Sequence, residues 1–201
     1  MPALFETAYA PLRGFEGGWC NDVGDAGGET YGGIARNFFP HWQGWAIIDA
    51  AKNHSSWRQG QNAFSRHLAS IPGLADLVTE WFRVEWWNRM GLALFPQPVA
   101  NEIFEQTVNL GRGGAGKYLQ RLCNALNYNK SKGERLFTDL VEDGAVGNKT
   151  LDALSAILAR RSGEADVVHA LNCMQGAHYV GLAAKNFQHR QFMDGWMKRT
   201  Y

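Results

Sequence analysis

The sequence predicts an all-α fold, or an α-rich fold with one small β-hairpin beside a glycine-rich loop. Apolar residues recur at helical spacing through most of the 201 residues, a pattern typical of amphipathic helices. Strand-type alternation is almost absent, and only residues 141–146 could form a short extended piece. With 45% hydrophobic residues, the chain can bury a sizeable core without metal ions or disulfides.

Four helices are predicted in the first half of the chain. The first is marked by apolar positions at helical spacing from Leu4 to Leu12, which share one face, and it ends at Gly14. Two more are predicted at about 44–54 and 60–70. The fourth, at about 72–90, has a proline in its first turn. Its aromatic residues share one broad face and are expected in the core: Trp81, Phe82, Trp86 and Trp87.

A linker is predicted at Phe95-Pro96-Gln97-Pro98, because two prolines in three residues stop one helix and Pro98 can open the next. The sequence therefore predicts a domain boundary near 93–97, with a catalytic region at 1–93 and a helical region at 97–201. In the second region, helices are predicted at about 98–110, 115–127, 149–161 and 164–190.

Charge and composition argue against several classes of protein. Twenty Lys and Arg balance 19 Asp and Glu without a strongly basic block, so nucleic acid is not an expected partner. No apolar run approaches the roughly 20 residues that cross a bilayer, so no integral membrane segment is expected. The N-terminus lacks the pattern of a secretory signal, which predicts synthesis in the cytoplasm without a signal peptide. The cysteines fit no disulfide or zinc pattern and are expected as reduced, buried thiols: Cys20, Cys123 and Cys173.

A phosphate-binding motif is imitated by the segment from Gly111 to Lys117, which has the spacing G-x-x-x-x-G-K. Tyr118 stands where Ser or Thr would hold magnesium, and the preceding residues have a helical pattern instead of a strand pattern. We interpret this segment as a turn between helices and expect no nucleotide. The histidines show no i, i+4 pairing and no H-E-x-x-H motif, so neither a metal nor a cofactor is expected. G-x-S-x-G is missing, so serine or cysteine nucleophile chemistry is not expected either.

Residues 14–33 are the most informative segment, because eight glycines are interleaved there with polar and acidic residues. This density predicts a loop or small hairpin bordering a cleft. Glu16 follows the first helix, where the helix dipole and the flanking rings of Phe15 and Trp19 are expected to raise the pKa of its carboxyl. A carboxyl that keeps its proton near neutral pH is suited to general acid catalysis.

Asp25 and Thr30 lie in the polar part of the same loop, where they would offer a charged oxygen and a hydroxyl across a cleft. One acid and one oriented base or water-holder is the minimum arrangement for cleaving a glycosidic bond. A simpler interpretation also fits, because a Glu beside Gly-Gly is common as a cap or turn residue.

A dense set of residues in this loop resembles the signature of a known enzyme family. The matching pieces are Glu16-Gly17-Gly18-Trp19, Asn21-Asp22, Asp25, Gly27-Gly28-Glu29-Thr30 and Gly33-Ile34. They resemble glycoside hydrolase family 108, the bacterial and phage N-acetylmuramidases. The resemblance implies an α-rich, lysozyme-like fold. It also implies hydrolysis of the β-1,4 bond between N-acetylmuramic acid and N-acetylglucosamine in peptidoglycan.

The resemblance also implies roles for individual residues. Glu16 matches the catalytic acid of the family. Asp25 lies nine positions later, the offset of the Glu, Asp, Thr triad of phage-type lysozymes, and would activate water or stabilise the cationic sugar. Thr30 lies five positions beyond Asp25, where that triad has six, and would assist it. The expected substrate-binding residues are Trp19, Asn21 and Tyr31, whose two aromatic rings could either stack on sugars or pack internally.

The C-terminal part resembles the predicted peptidoglycan-binding domain that usually follows this catalytic module. The matching pieces are Trp86-Trp87-Asn88, Phe104, Val108-Asn109-Leu110-Gly111, Leu119-Gln120, the run from Asp143 to Leu151, and Gly195-Trp196. The resemblance implies peptidoglycan glycan strands as the partner. Phages and secretion systems deliver such enzymes through a holin or a secretion pore, which implies action at the periplasm or cell wall after release.

Three other functions stay open from the sequence. A binding module would hold peptidoglycan without cutting it, and a secretion or lysis accessory protein would act through a protein partner. A lytic transglycosylase would use Glu16 alone and would release anhydro-sugar ends instead of reducing ends.

Overall fold

The computed structural model describes residues 2–12, 18–22, 25–160 and 162–200, and these form the predicted α-rich fold with one small hairpin. The described α-helices are α1 (Phe5–Tyr9), α2 (Gly44–Ala51), α3 (Gln61–Ala69), α4 (Leu74–Trp81), α5 (Gln97–Ala125), α6 (Asn148–Leu158), α7 (Gly163–Lys185) and α8 (Met193–Met197). Strands β1 (Thr30–Tyr31) and β2 (Ile34–Ala35) pair in antiparallel fashion. Within these ranges, no helix is both long enough and apolar enough to cross a bilayer.

Contacts divide the chain into two compact units. We call Tyr9–Glu85 the hairpin unit, and we call Met1–Ala8 together with Trp86–Tyr201 the C-terminal unit. The domain boundary that the sequence predicts at 93–97 stays a prediction.

The hairpin unit has a helical core in which α4 contacts both α2 and α3. Ile48 of α2 and Leu68 of α3 are completely buried. The buried residues of α4, Leu74, Val78 and Trp81, are spaced four and three positions apart, so they share one face of the helix. The packing therefore follows directly from the apolar pattern of the sequence.

The long helix predicted at 72–90 is divided in the structure. Gly73 has φ 80° and precedes the first residue of α4, so Pro72 lies in a turn before the helix instead of in its first turn. After α4 the chain forms a π-helical stretch over Phe82–Asn88, which adds a residue to each turn. The aromatic residues of the region are nevertheless buried, as predicted: Trp81, Phe82, Trp86 and Trp87.

The C-terminal unit is built on α5, which contacts α6 and α7. Phe5, Trp87 and Phe104 form a three-ring cluster with centroid distances of 5.7–5.8 Å and nearly perpendicular planes. This edge-to-face geometry is favoured for aromatic pairs. The cluster packs Phe5 of α1 against α5 within the C-terminal unit.

The two helices predicted at 98–110 and 115–127 are one element, α5, with a break at Gly111. Gly111 has φ 70° and ψ 162°, so the expected turn is a single left-handed residue that glycine adopts without strain. The segment from Gly111 to Lys117, which has the spacing of a phosphate-binding motif, thus follows a helix instead of a strand, as predicted. Pro98 lies in the first turn of α5, which confirms the helix start.

Three smaller expectations need correction. The last long helix ends at Lys185, not near 190, because Asn186 leaves the helical conformation and its side chain accepts a hydrogen bond from the backbone N–H of Gln188. The first helix is shorter than predicted, since α1 covers only Phe5–Tyr9, and Leu4, which was expected on its apolar face, is exposed. Cys123 is buried, whereas Cys20 is half-buried and Cys173 is exposed, so burial was wrongly predicted for Cys173; all three are free thiols.

Glu102 makes the stability of the C-terminal unit depend on pH. Its side chain on α5 is buried, with Gln106 Nε2 3.3 Å from Oε1. Burial, with a further contribution from the charge of Glu105, raises its pKa from 4.5 to about 7. The folded state therefore keeps a proton that the unfolded state releases, so the free energy of unfolding falls as the pH rises from about 4.5 to about 7.

Glu102→Gln is expected to remove this pH dependence. Its stability relative to wild type should increase between pH 4.5 and pH 7.5, by at most about 3 kcal/mol. Urea unfolding at several pH values measures the difference, with the exposed Glu164→Gln as control. Parallel pH curves for wild type and Glu102→Gln would contradict the assignment.

Candidate active site

The first strand of the hairpin contains two of the predicted site residues, Thr30 and Tyr31. Gly32 and Gly33 form the turn of the hairpin with φ values of 55° and 77°, the two positive angles that a tight two-residue hairpin turn requires. Cys20 continues the pairing, because its N–H donates to the carbonyl of Thr30 (2.9 Å) and its carbonyl accepts from the N–H of Thr30 (2.8 Å). Thr30 is thus held by backbone bonds on both edges.

Asp25 and Thr30 meet at the same glycine turn. The carboxylate Oδ1 of Asp25 accepts a hydrogen bond from the N–H of Gly27 (2.9 Å), and its carbonyl accepts one from the N–H of Gly28 (3.1 Å). The hydroxyl of Thr30 donates to the carbonyl of Gly28 (3.0 Å). Asp25 is exposed, and among the described residues its second carboxylate oxygen has no hydrogen-bond partner. This arrangement leaves an oriented, solvent-facing carboxylate.

Trp19 is buried within the unit. Its backbone N–H donates to Ser65 Oγ (2.9 Å), and its indole N–H donates to Glu29 Oε1 (2.7 Å). Its ring makes edge-to-face contacts with Trp57 and Phe64 at 5.1 and 5.2 Å between centroids. All of these contacts serve to fix the loop. Its predicted partner in substrate binding, Asn21, is exposed.

A cavity of about 390 Å³ lies beside the hairpin. The buried side chain of Tyr31 lines it and is stacked on Trp42, and the burial raises the pKa of the Tyr31 phenol. The backbones of Gly18 and Gly32 also line it. A Cβ at Gly18 would lie 2.7 Å from Ser65 Oγ, so glycine is required for this close approach. Polar groups come from Ser65, Asp76 and Thr79.

Glu16, the predicted acid, lies outside the described residues, as do Phe15 and Gly17. The described part of the glycine-rich loop begins at Gly18, two positions further along the chain. Gly18, which belongs to the same motif as Glu16, lines the cavity.

Cys20 is unsuited to act as a nucleophile. Burial raises the pKa of its thiol, and the charges of Asp22 and Asp25 raise it further. The thiol therefore keeps its proton at neutral pH, and a protonated thiol is a poor nucleophile. The candidate reactive groups among the described residues of the loop are therefore its carboxylates and hydroxyls.

A charge cluster that no sequence motif predicted surrounds Glu29. Besides the indole of Trp19, the Glu29 carboxylate contacts Arg36 Nε (3.1 Å) and Lys52 Nζ (2.9 Å). Asp49 contacts the same two cations at 2.9 and 2.7 Å, and the hydrogen bonds from Arg36 and then Lys52 lower the pKa of Asp49. Glu29 stands inside the glycine motif, but its partners are 7 and 23 positions away, so no local pattern reveals them.

Glu29→Gln is expected to destabilise the hairpin unit by about 1–3 kcal/mol, because it removes a charge that is only 10% exposed and pairs with two cations. Asp49→Asn should cost less than about 1 kcal/mol, because Asp49 is half exposed. Thermal unfolding of both variants measures the comparison. Equal losses would show that the Glu29 contacts are no stronger than surface ion pairs.

Comparison with known protein families gives two matches. Residues 10–111 match the family model described as Glycosyl hydrolase 108, and residues 114–201 match the model described as Predicted Peptidoglycan domain. A search of curated proteins finds no match.

Proposed function

Since this chain belongs to the glycosyl hydrolase 108 family, we propose that it is an N-acetylmuramidase that cleaves the β-1,4 bond between N-acetylmuramic acid and N-acetylglucosamine. Both family matches support a glycosidase that acts on peptidoglycan. The proposal of muramidase activity rests on one observation: the glycine-rich loop, the hairpin and the 390 Å³ cavity lie together within one unit.

The cavity has features that suit a sugar. Gly18 and Gly32 present backbone without side chains, which lets a sugar ring approach closely. Asp76, on the first turn of α4, and Thr79 add oxygen atoms that can pair with sugar hydroxyls. The volume lies within the range of small-ligand sites, about 300–1,000 Å³.

In the proposed reaction, Glu16 transfers its proton to the glycosidic oxygen as the bond from that oxygen to C1 of N-acetylmuramic acid breaks. Water adds to C1, and its proton passes to Asp25. The hydrogen bond from the Gly27 N–H to Oδ1 orients this carboxylate, and Oδ2 has no hydrogen-bond partner among the described residues. Thr30, tied to Gly28 in the same turn, assists by holding the water.

Asp25→Asn is expected to lower the rate of reducing-end release from isolated sacculi by about 10²-fold, because an amide does not take up the proton of water. Thr30→Ala should lower it by about tenfold, the equivalent of one hydrogen bond, and Thr30→Ser should restore most of the loss. Glu80→Gln, an exposed change in the same unit, is the control.

The alternatives to hydrolysis give different results in this assay. A protein that only binds peptidoglycan, or acts through a partner, releases no reducing ends in any variant. Full activity of Asp25→Asn and Thr30→Ala would remove both residues from the mechanism.

A further inference from the structure

The C-terminal unit holds a second, larger cavity. Its volume is about 900 Å³, and it lies between the irregular segment 136–147 and the helix α6. All of its lining residues fall within the match to the predicted peptidoglycan domain. The cavity is therefore a candidate for the ligand site of that domain.

Three side-chain amides on one face of α5 and just beyond it shape the wall of this cavity. Asn124 forms a reciprocal pair with Leu140, accepting from its N–H (2.7 Å) and donating to its carbonyl (2.9 Å). Gln120 accepts from the N–H of Gly144 (2.7 Å). Asn127 accepts from the N–H of Phe137 (3.1 Å) and donates to the same residue's carbonyl (2.7 Å). The amides lie four and three positions apart, so they hold the segment along α5 at three points.

Close backbone packing secures the same wall. A Cβ at Gly116 of α5 would lie 2.2 Å from the carbonyl oxygen of Gly144. Neither backbone can move aside as a flexible side chain would, so the segment 136–147 is fixed against α5 at this point. The cavity is thus a preformed feature of the unit.

The apolar part of the lining consists of small or aliphatic side chains with one aromatic residue. Ala153 and Ala156 of α6 line the cavity together with Leu136, Phe137 and Leu140 of the segment. The lining contains neither Trp nor Tyr, the side chains that combine a large apolar ring with a polar tip. Alanine-sized pockets instead suit residues with methyl side chains.

The charged side chains of the lining are three carboxylates and one ammonium group: Asp139, Asp143, Asp152 and Lys149. The carboxylate of Asp139 already forms an ion pair with Arg135 (3.2 Å) and accepts a hydrogen bond from the side-chain amide of Asn127 (2.8 Å). Hydrogen bonds from Gln120 and then from the N–H of Ala145 lower the pKa of Asp143, so this lining carboxylate is ionised at neutral pH.

Two further charged residues of the lining remain available to a ligand. Lys149 and Asp152 are exposed, one turn apart on α6, and neither has a hydrogen bond or ion pair among the described residues. The cavity therefore complements a ligand that has an ammonium group and a carboxylate close together, with methyl groups beside them.

We propose that this cavity binds the peptide stem of peptidoglycan, with Asp152 receiving the free amine of its diamino residue and Lys149 receiving a carboxylate. The proposal rests on the proposed function for the choice of peptidoglycan. Of the two parts of that polymer, the glycan has methyl groups on its N-acetyl substituents but no free amine, whereas the stem combines a free amine and carboxylates with small alkyl groups. The unit would then anchor the enzyme on peptide while the hairpin unit acts on the sugar.

The test is calorimetric titration of the full-length protein with a synthetic stem tetrapeptide that has a free diamino-acid amine. We expect saturable binding that falls at least about tenfold in Asp152→Asn and in Lys149→Met, since each loses one charge-assisted bond. Acetylating the peptide's amine should weaken binding to wild type by a similar factor and should have little further effect on Asp152→Asn. The matched controls Asp194→Asn and Lys198→Met, on and just after α8, should bind like wild type.

Two outcomes would overturn the proposal: no binding of the tetrapeptide, or binding that neither Asp152→Asn nor Lys149→Met weakens. Saturable binding of chitin oligomers that displaces the tetrapeptide would assign the cavity to glycan and would also overturn it. The tetrapeptide contains no glycosidic bond, so its binding is independent of hydrolysis. A protein that binds it but leaves sacculi uncut would contradict the proposed muramidase activity alone.

Discussion

Glu16→Gln is expected to lower the rate at which the protein hydrolyses isolated sacculi by at least about 10²-fold. The reason is chemical, because glutamine has nearly the same shape as glutamate but has no acidic proton to give to the leaving oxygen. Without protonation, the sugar must leave as an alkoxide, which raises the barrier to bond cleavage. The assay is turbidity loss of a sacculus suspension, calibrated by the release of reducing ends.

A matched variant separates loss of the acid from loss of the fold. Glu164→Gln makes the same chemical change at an exposed position on α7 and should retain full activity. Both variants should unfold at the same temperature as wild type within a few degrees. If Glu16→Gln cleared sacculi at the wild-type rate, Glu16 could not be the general acid.

Phe64→Ala should give the largest loss of stability, about 3–5 kcal/mol. The Phe64 side chain is 0% exposed and makes edge-to-face contacts with Trp19 and Trp57 at 5.2 and 4.9 Å between centroids. Its removal leaves a cavity under the glycine-rich loop and frees the Trp19 ring. We therefore expect hydrolysis to fall together with the free energy of unfolding measured in urea.

Phe38→Ala is the control for this substitution. Phe38 is 63% exposed, so the same truncation should change the free energy of unfolding by no more than about 0.5 kcal/mol. Similar losses for the two variants would mean that the ring cluster around Trp19 does not stabilise the hairpin unit.

Local patterns in the sequence predict most of the helices. Helical spacing of apolar residues locates α2 to α7, since burial of one face is what stabilises each of them. Helix ends are less predictable, because single residues decide them. The positive φ angles of Gly73 and Gly111 and the departure of Asn186 from the helix are backbone conformations of single residues, which the periodicity of apolar side chains does not encode.

The glycine-rich loop is predictable for the same local reason. Only glycines can supply the two positive φ angles between Tyr31 and Ile34 at little cost, so the hairpin can be inferred from their density. The partners of its side chains are not predictable. Trp19 is held by Ser65, which lies 46 positions away in the sequence, and such contacts depend on how the helices pack.

The amide contacts of the C-terminal unit show the same limit. Gln120 and Asn124 lie one turn apart on α5, which by itself resembles an ordinary polar helix face. Their bonds to Gly144 and Leu140 span 24 and 16 positions through a segment without regular structure. No periodic signal marks that segment, so its cavity is visible only in the structure.

The most direct test of the proposed reaction is digestion of sacculi in water enriched in oxygen-18, followed by mass spectrometry of the released muropeptides. We expect one labelled oxygen at the reducing end of N-acetylmuramic acid in each product of cleavage. Label at the reducing end of N-acetylglucosamine, or unlabelled anhydro-muropeptides, would contradict it.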